Sequence, residues 1–237
     1  MRLDKYISAC GVASRSEVKR LIRAGAVSVN GETAKAADMK IDENSDTVCV
    51  SGKELRYRKY VYLMLNKPQG YISATEDKHY KVVTELVPEE YSHFNVFPVG
   101  RLDIDTEGLL ILTNDGQLDH EITSPKKNVY KRYFAVLDSP AQPEDIEAFA
   151  AGMEFSDFTA KSAYLEITDN PCEVYIEIAE GKFHQVKRMC ARVGKNVVFL
   201  KRVSIGSLML DDELAVGEVR EMNREEVGKA LINFRRN

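Results

Sequence analysis

The chain has 237 residues, 44% of them hydrophobic and 30% charged, which excludes a disordered or collagen-like protein and suits one large domain or a small module beside a catalytic-sized one. No apolar run approaches the roughly 20 residues that cross a bilayer, and Met1-Arg2-Leu3-Asp4-Lys5 is charged where a signal peptide would turn apolar, so a cytoplasmic address and no membrane are expected. The net charge of −4 hides an uneven distribution, because residues 1–58 carry eleven Lys/Arg against eight Asp/Glu and leave 22 basic and 29 acidic residues to the remainder.

Leu3, Tyr6 and Ile7 predict a short first helix. Ser14-x-x-Glu17 is a capping box that opens a second helix, closing at Gly25. On that helix Arg15, Lys19 and Arg23 recur every four residues and share a face, opposite Val18, Leu21, Ile22 and Ala26. A solvated helix face is the plainer reading of such a stripe. Val27 to Glu32 alternates into an Asn30-Gly31 hairpin turn, and short strands follow near Thr47–Ser51 and Lys53–Leu55. Polar Arg56-Tyr57-Arg58-Lys59 places a boundary after residue 58.

Tyr60 to Leu65 reads as a buried strand, stopped by Asn66-Lys67-Pro68-Gln69-Gly70. Further strands are predicted at Asn95–Val99, Leu109–Thr113, Tyr130–Leu137, Ser162–Thr168, Glu173–Ala179, Val197–Leu200 and Ser207–Leu210. Helices are predicted at Val82–Val87, Gln117–Ile122, Pro143–Ala151, Lys182–Val193 and Arg224–Leu231. Strands and helices without regular alternation imply an α+β domain over residues 59–237, with a mostly antiparallel mixed sheet flanked by helices. The cysteines Cys10, Cys49, Cys172 and Cys190 are scattered without a C-x-x-C pair and read as reduced packing residues. No phosphate-binding loop, dinucleotide fingerprint or metal-ligand cluster is present, so no cofactor and no metal are expected.

Between Val99 and Asn114 a polar loop with two glycines joins two apolar strands. Such a loop can hold a reactive carboxylate, with Arg101 beside it; from spacing alone, Asp103 or Asp105 equally caps a turn.

The run Gly100-Arg101-Leu102-Asp103-x-x-Thr106-x-Gly108-Leu109-Leu110 resembles the active-site signature of the RluA/RsuA-type pseudouridine synthases. Leu63-Met64-Leu65-Asn66-Lys67-Pro68-x-Gly70 is similar to their first motif, and Lys131-Arg132-Tyr133-x-x-Val136 to the strand bearing their active-site tyrosine. Glu180 to Met189 resembles their third motif, and Leu200-Lys201-Arg202-Val203-x-Ile205-Gly206 the strand after it. Residues 1–58 resemble an S4 RNA-binding domain through Arg2-Leu3-Asp4, Ser14-Arg15 and Gly25-x-Val27-x-Val29-Asn30-Gly31. Details of the central loop and of His184 to Met189 lie nearer the small-subunit rRNA enzymes than their large-subunit relatives.

The resemblance implies an isomerase that converts one uridine of small-subunit rRNA to pseudouridine without a cofactor. The alternatives are a large-subunit rRNA enzyme and a non-catalytic S4-type RNA-binding or ribosome assembly factor. It further implies Asp103 as the catalytic carboxylate, Tyr133 as stacking residue and proton handler, and Lys187 as partner of Asp103 or of a phosphate. Arg101 and Thr106 would position the nucleotide and Leu200 would floor the pocket. Arg2, Lys5, Arg15, Lys19 and Arg23 in the first domain are the expected RNA contacts there. Lys67, Arg101, Lys182, Lys187, Arg188, Lys201 and Arg202 are expected to line a basic cleft in the second. Asp105 is not the favoured carboxylate, and His184 is assigned a structural role. A monomer acting on rRNA or on an assembling small subunit is expected.

Overall fold

The Ser14 hydroxyl accepts the Glu17 N–H and the Glu17 carboxylate accepts the Ser14 N–H at 2.8 Å, so the helix Arg15–Arg23 begins where the capping box places it. It buries Val18 and Ile22 and leaves Arg15, Lys19 and Arg23 exposed. The buried side packs with Leu3, Tyr6 and Ile7 of the helix Leu3–Ala9 and with Val27, Val29, Val48 and Val50 of a small sheet. That sheet runs Glu32–Thr33, Val27–Val29, Val48–Val50, Lys53–Leu55, each pair antiparallel. Its first turn is Asn30-Gly31, both residues at positive φ, as a two-residue hairpin turn requires.

The computed structural model describes residues 1–233. They form two compact units, one of Met1–Val61 with Pro88–Asn95, the other of Tyr62–Val87 with the chain from Val96 onward. The return of Pro88–Asn95 to the first unit departs from a simple break after residue 58. The Arg58 guanidinium lies 5.4 Å from the centre of the Phe94 ring. Such a long-range docking leaves no periodic signal in the sequence.

In the second unit seven strands form the backbone of one sheet, in the order Tyr164–Ile167, Glu173–Ile178, Lys131–Leu137, Val197–Ile205, Glu107–Thr113, Tyr62–Lys67, Val219–Glu221. Every neighbouring pair is antiparallel except Val197–Ile205 with Glu107–Thr113. Met64, Leu109, Ile111 and Ile205 face Leu118 and Ile122 of the helix Gly116–Thr123 in one core. Asp115 caps that helix by accepting the Gln117 and Leu118 N–H groups.

The strand predicted to end at Leu200 continues to Ile205, because it is central and has partners on both sides. The Lys182–Val193 helix is shorter than predicted, Gln185–Arg192, since His184 takes a left-handed φ of 51° before it. Val83–Leu86 is a single 3-10 turn, and the Asn95–Val99 strand is reduced to Phe97–Pro98, with the Val99 N–H donating to the Ile111 carbonyl at 2.8 Å beyond it. Val219–Glu221 escapes prediction, being three residues long and recruited by Leu63–Leu65.

Gly108 sits where the two parallel strands meet. Its φ is +101°, and a Cβ there would lie 2.2 Å from the Arg202 carbonyl oxygen. Gly108→Ala is therefore expected to destabilise the protein by about 3 kcal/mol or more, read as a lower urea midpoint.

Candidate active site

The loop after Val99 is held by the segment after Tyr62–Lys67. Lys67 is fully buried, and its ammonium donates to the carbonyls of Pro68 at 3.0 Å, Asp103 at 3.1 Å and Thr106 at 2.9 Å. The Gly70 N–H donates to the Ile104 carbonyl at 2.8 Å. The Ser73 hydroxyl donates to the Leu102 carbonyl and accepts the Leu102 N–H. Leu102, Asp103, Ile104 and Thr106 are thus held through their backbones, so the Asp103 side chain projects from a fixed loop.

What it faces comes from three other elements. Alternation in Lys131–Leu137 buries Lys131, Tyr133, Ala135 and Leu137 on one side, and Leu200 lies opposite Ala135 on the next strand. A bulge at Val203 shifts the register between Arg132 and Tyr133, the kind of irregularity that re-aims a side chain near a site. The third element is the helix Gln185–Arg192, which brings Lys187 Nζ to 3.5 Å from Asp103 Oδ2 and 2.5 Å from Asp105 Oδ1. His184 Nε2 lies 3.7 Å from Asp103 Oδ1.

Asp103, Arg101, Thr106, Tyr133, Lys182, Lys187 and Leu200 line one cleft of about 410 Å³, within the usual range of roughly 300–1,000 Å³ for ligand pockets. Asp105 is not on that lining. Its side chain is 62% exposed against 29% for Asp103. Partial burial raises the Asp105 carboxyl's pKa, but the Lys187 hydrogen bond and charge outweigh it and hold the group below its ordinary value. One ammonium thus offsets two carboxylates, and only one of them opens on the cavity.

Several expected RNA contacts are elsewhere. Lys67 is not available to RNA, because its ammonium is engaged by three carbonyls of the loop framework. Arg202 is 3% exposed and donates to the Leu109 carbonyl at 2.8 Å, so it too belongs to the framework. Arg188 is paired with Asp157 and lies over the Phe155 and Phe158 rings, off the cleft lining. Lys201 lines a separate hollow with Arg132 and Tyr175. Conversely, His184, expected to be structural, stands beside Asp103. Its place next to Lys187's helix is visible in the sequence; the turn that points it inward is not.

In the first unit Arg2, Lys5, Arg15, Lys19, Arg20 and Arg23 line a groove of about 440 Å³ with Asp4 and Ser16. Arg20 joins the five residues expected there. Asp4 is buried and takes the Arg2 guanidinium at 2.9 Å, which holds its carboxyl below the ordinary value against the cost of burial. Burial also pushes the Cys190 thiol up to about 12 and the Cys10 thiol to about 11, away from reactivity.

Residues 61–192 match the family model of the RNA pseudouridylate synthases, and residues 1–46 match the S4 domain. The chain is 46% identical over 231 residues to an uncharacterised RNA pseudouridine synthase of Bacillus subtilis, covering 96% of this chain and 97% of that one. It is 40% identical over 234 residues to ribosomal small subunit pseudouridine synthase A of Escherichia coli, covering 98% and 100%. A crystal structure of a pseudouridylate synthase superposes with a TM-score of 0.68 at 37% identity, over 97% of this chain and 99% of that one.

Proposed function

The chain belongs to the RNA pseudouridylate synthase family and is an isomerase; from that premise we propose that it converts one uridine of small-subunit rRNA to pseudouridine, with Asp103 as the catalytic carboxylate. The observation that carries this reading is the single carboxylate that shares a cleft with an aromatic ring and an ammonium. The reaction breaks the C1'–N1 bond of uridine, turns the uracil in place, joins C5 to C1', releases the C5 proton and leaves the freed N1 carrying a proton in its stead. It is balanced without an external electron or group. Asp103 either attacks C1' or removes a proton from C2'; both routes need a carboxylate against the ribose, with Lys187 compensating its charge. The protein acts as a monomer in the cytoplasm on this reading.

Tyr133 stacks on the base and its phenol manages the C5 proton. Tyr133→Phe keeps the ring and loses the hydroxyl, so kcat is expected to fall roughly 10²- to 10⁴-fold with KM little changed. Steady-state tritium release from C5-labelled rRNA reads both parameters.

Extruding a stacked uridine costs a few kcal/mol, which interactions with the surrounding RNA must return. The groove of the first unit supplies cations for this. Replacing Arg15, Lys19 and Arg23 together by Ala should flatten the log–log salt dependence of RNA binding by about 0.7 for each single-strand phosphate that these cations neutralise. An unchanged slope would remove the groove from the interface.

The deciding test is tritium release from C5-labelled small-subunit rRNA, followed by carbodiimide-stop primer extension on both rRNAs. Release with a new stop in small-subunit rRNA is expected. A stop only in large-subunit rRNA overturns the substrate, and binding with neither release nor a stop in either rRNA overturns the enzyme.

A further inference from the structure

Phe183 is 67% exposed, which is costly for a large apolar ring, and it lies on the lining of the same cleft as Asp103. Its ring stacks on His184 at 3.8 Å between centroids and 18° between planes. His184 in turn stands 3.7 Å from Asp103, so the two rings run from the carboxylate to open solvent. The residues on either side are pinned. Gln185, 3% exposed, accepts the Lys182 N–H and donates to Glu180, whose carboxylate also accepts the Lys161 N–H. His184 holds a left-handed φ that non-glycine residues rarely adopt, a local strain typical of functional loops.

Resting on the proposed function, we infer that Phe183 and His184 form a stacking platform for the nucleobase that neighbours the flipped uridine. Extrusion removes one partner from the RNA stack and leaves the adjacent base with an uncovered face. A rigid aromatic ring at the cleft mouth replaces that partner without ordering cost, and stacking of this kind tolerates any base. Lys182 and Arg101, exposed on the same lining, stand ready for the flanking phosphates.

The test compares Phe183→Trp with Phe183→Leu on an in vitro transcript of bacterial small-subunit rRNA labelled with tritium at uridine C5. Filter binding is expected to show a Kd about tenfold higher for the Leu variant, while the Trp variant stays within about twofold of wild type. In tritium release the Leu effect should appear in KM, with kcat within about twofold, since the platform touches no reacting atom. A Leu variant that binds like wild type, or a Trp variant as weak as Leu, overturns the platform. If wild type binds but releases no tritium from this transcript, the small-subunit substrate reading fails while the Trp–Leu binding comparison still decides the stack.

Discussion

Asp103→Asn is expected to lower pseudouridine formation by at least about 10⁴-fold, the scale of removing an essential catalytic group, while rRNA binding survives. Asparagine is nearly isosteric and can neither form the covalent bond to C1' nor take a proton from C2'. The substitution removes one negative charge from a pair that Lys187 compensates. Lys187 remains held at 2.5 Å by Asp105, so the cleft should keep its shape and a failure to bind would be unexplained. Single-turnover tritium release and filter binding on the same rRNA separate the two. Activity within about tenfold of wild type would remove Asp103 from the chemistry. Asp105→Asn, applied to the carboxylate outside the cavity, should cost far less.

Lys67→Met is expected to reduce kcat about 100-fold or more, though Lys67 touches no substrate. Its ammonium fixes the carbonyls of Asp103 and Thr106, and a displacement of about 1 Å in a reacting group can cost that factor. Methionine fills the space and leaves three carbonyls without donors, at about 1–3 kcal/mol for each that stays dry. The same ammonium introduces a pH dependence. Burial lowers the Lys67 pKa from its ordinary value of 10.5 to about 8, against the opposing pull of Asp105 and Asp103. Below that pH three N–H donors meet three carbonyls; above it one carbonyl faces a lone pair. Activity should therefore fall as pH rises through about 8. The sign for stability is the reverse. Between about pH 8 and 10.5 the unfolded chain still binds a proton that the folded one has released, so this group adds stability as pH rises. A kcat limb near pH 8, without a matching drop in the thermal midpoint and absent from Lys67→Met, is the signature. A limb unchanged in the variant would assign it to another group.

Lys67 also shows where reading from the chain stops. As one lysine among several in motifs resembling those of an RNA enzyme, it reads as an RNA contact, and so does Arg202. Both side chains satisfy backbone groups inside the protein. Charge type is written in the sequence, but whether a cation meets phosphate or carbonyl depends on which strand lies over it. Arg101, Asp103, Thr106, Tyr133, Lys182, Lys187 and Leu200 are all legible as one set and do share a cleft. They can be recognised because their motifs are contiguous runs with fixed spacing. His184 is harder to place, because its approach to Asp103 depends on a single positive φ.

Local pattern by itself determined the capped helix Arg15–Arg23, the Asn30-Gly31 hairpin, the alternation of Lys131–Leu137 and the loop that carries Asp103. These are set by near-neighbour sterics, hydrogen bonding and periodicity, which act over a few residues. Only the tertiary structure decided the nine-residue strand Val197–Ile205, the recruitment of Val219–Glu221, the docking of Pro88–Asn95 and the pairing of Lys187 more closely with Asp105 than with Asp103. Each depends on a partner remote in the chain, and the energy of such an interaction exists only once folding has brought both sides together.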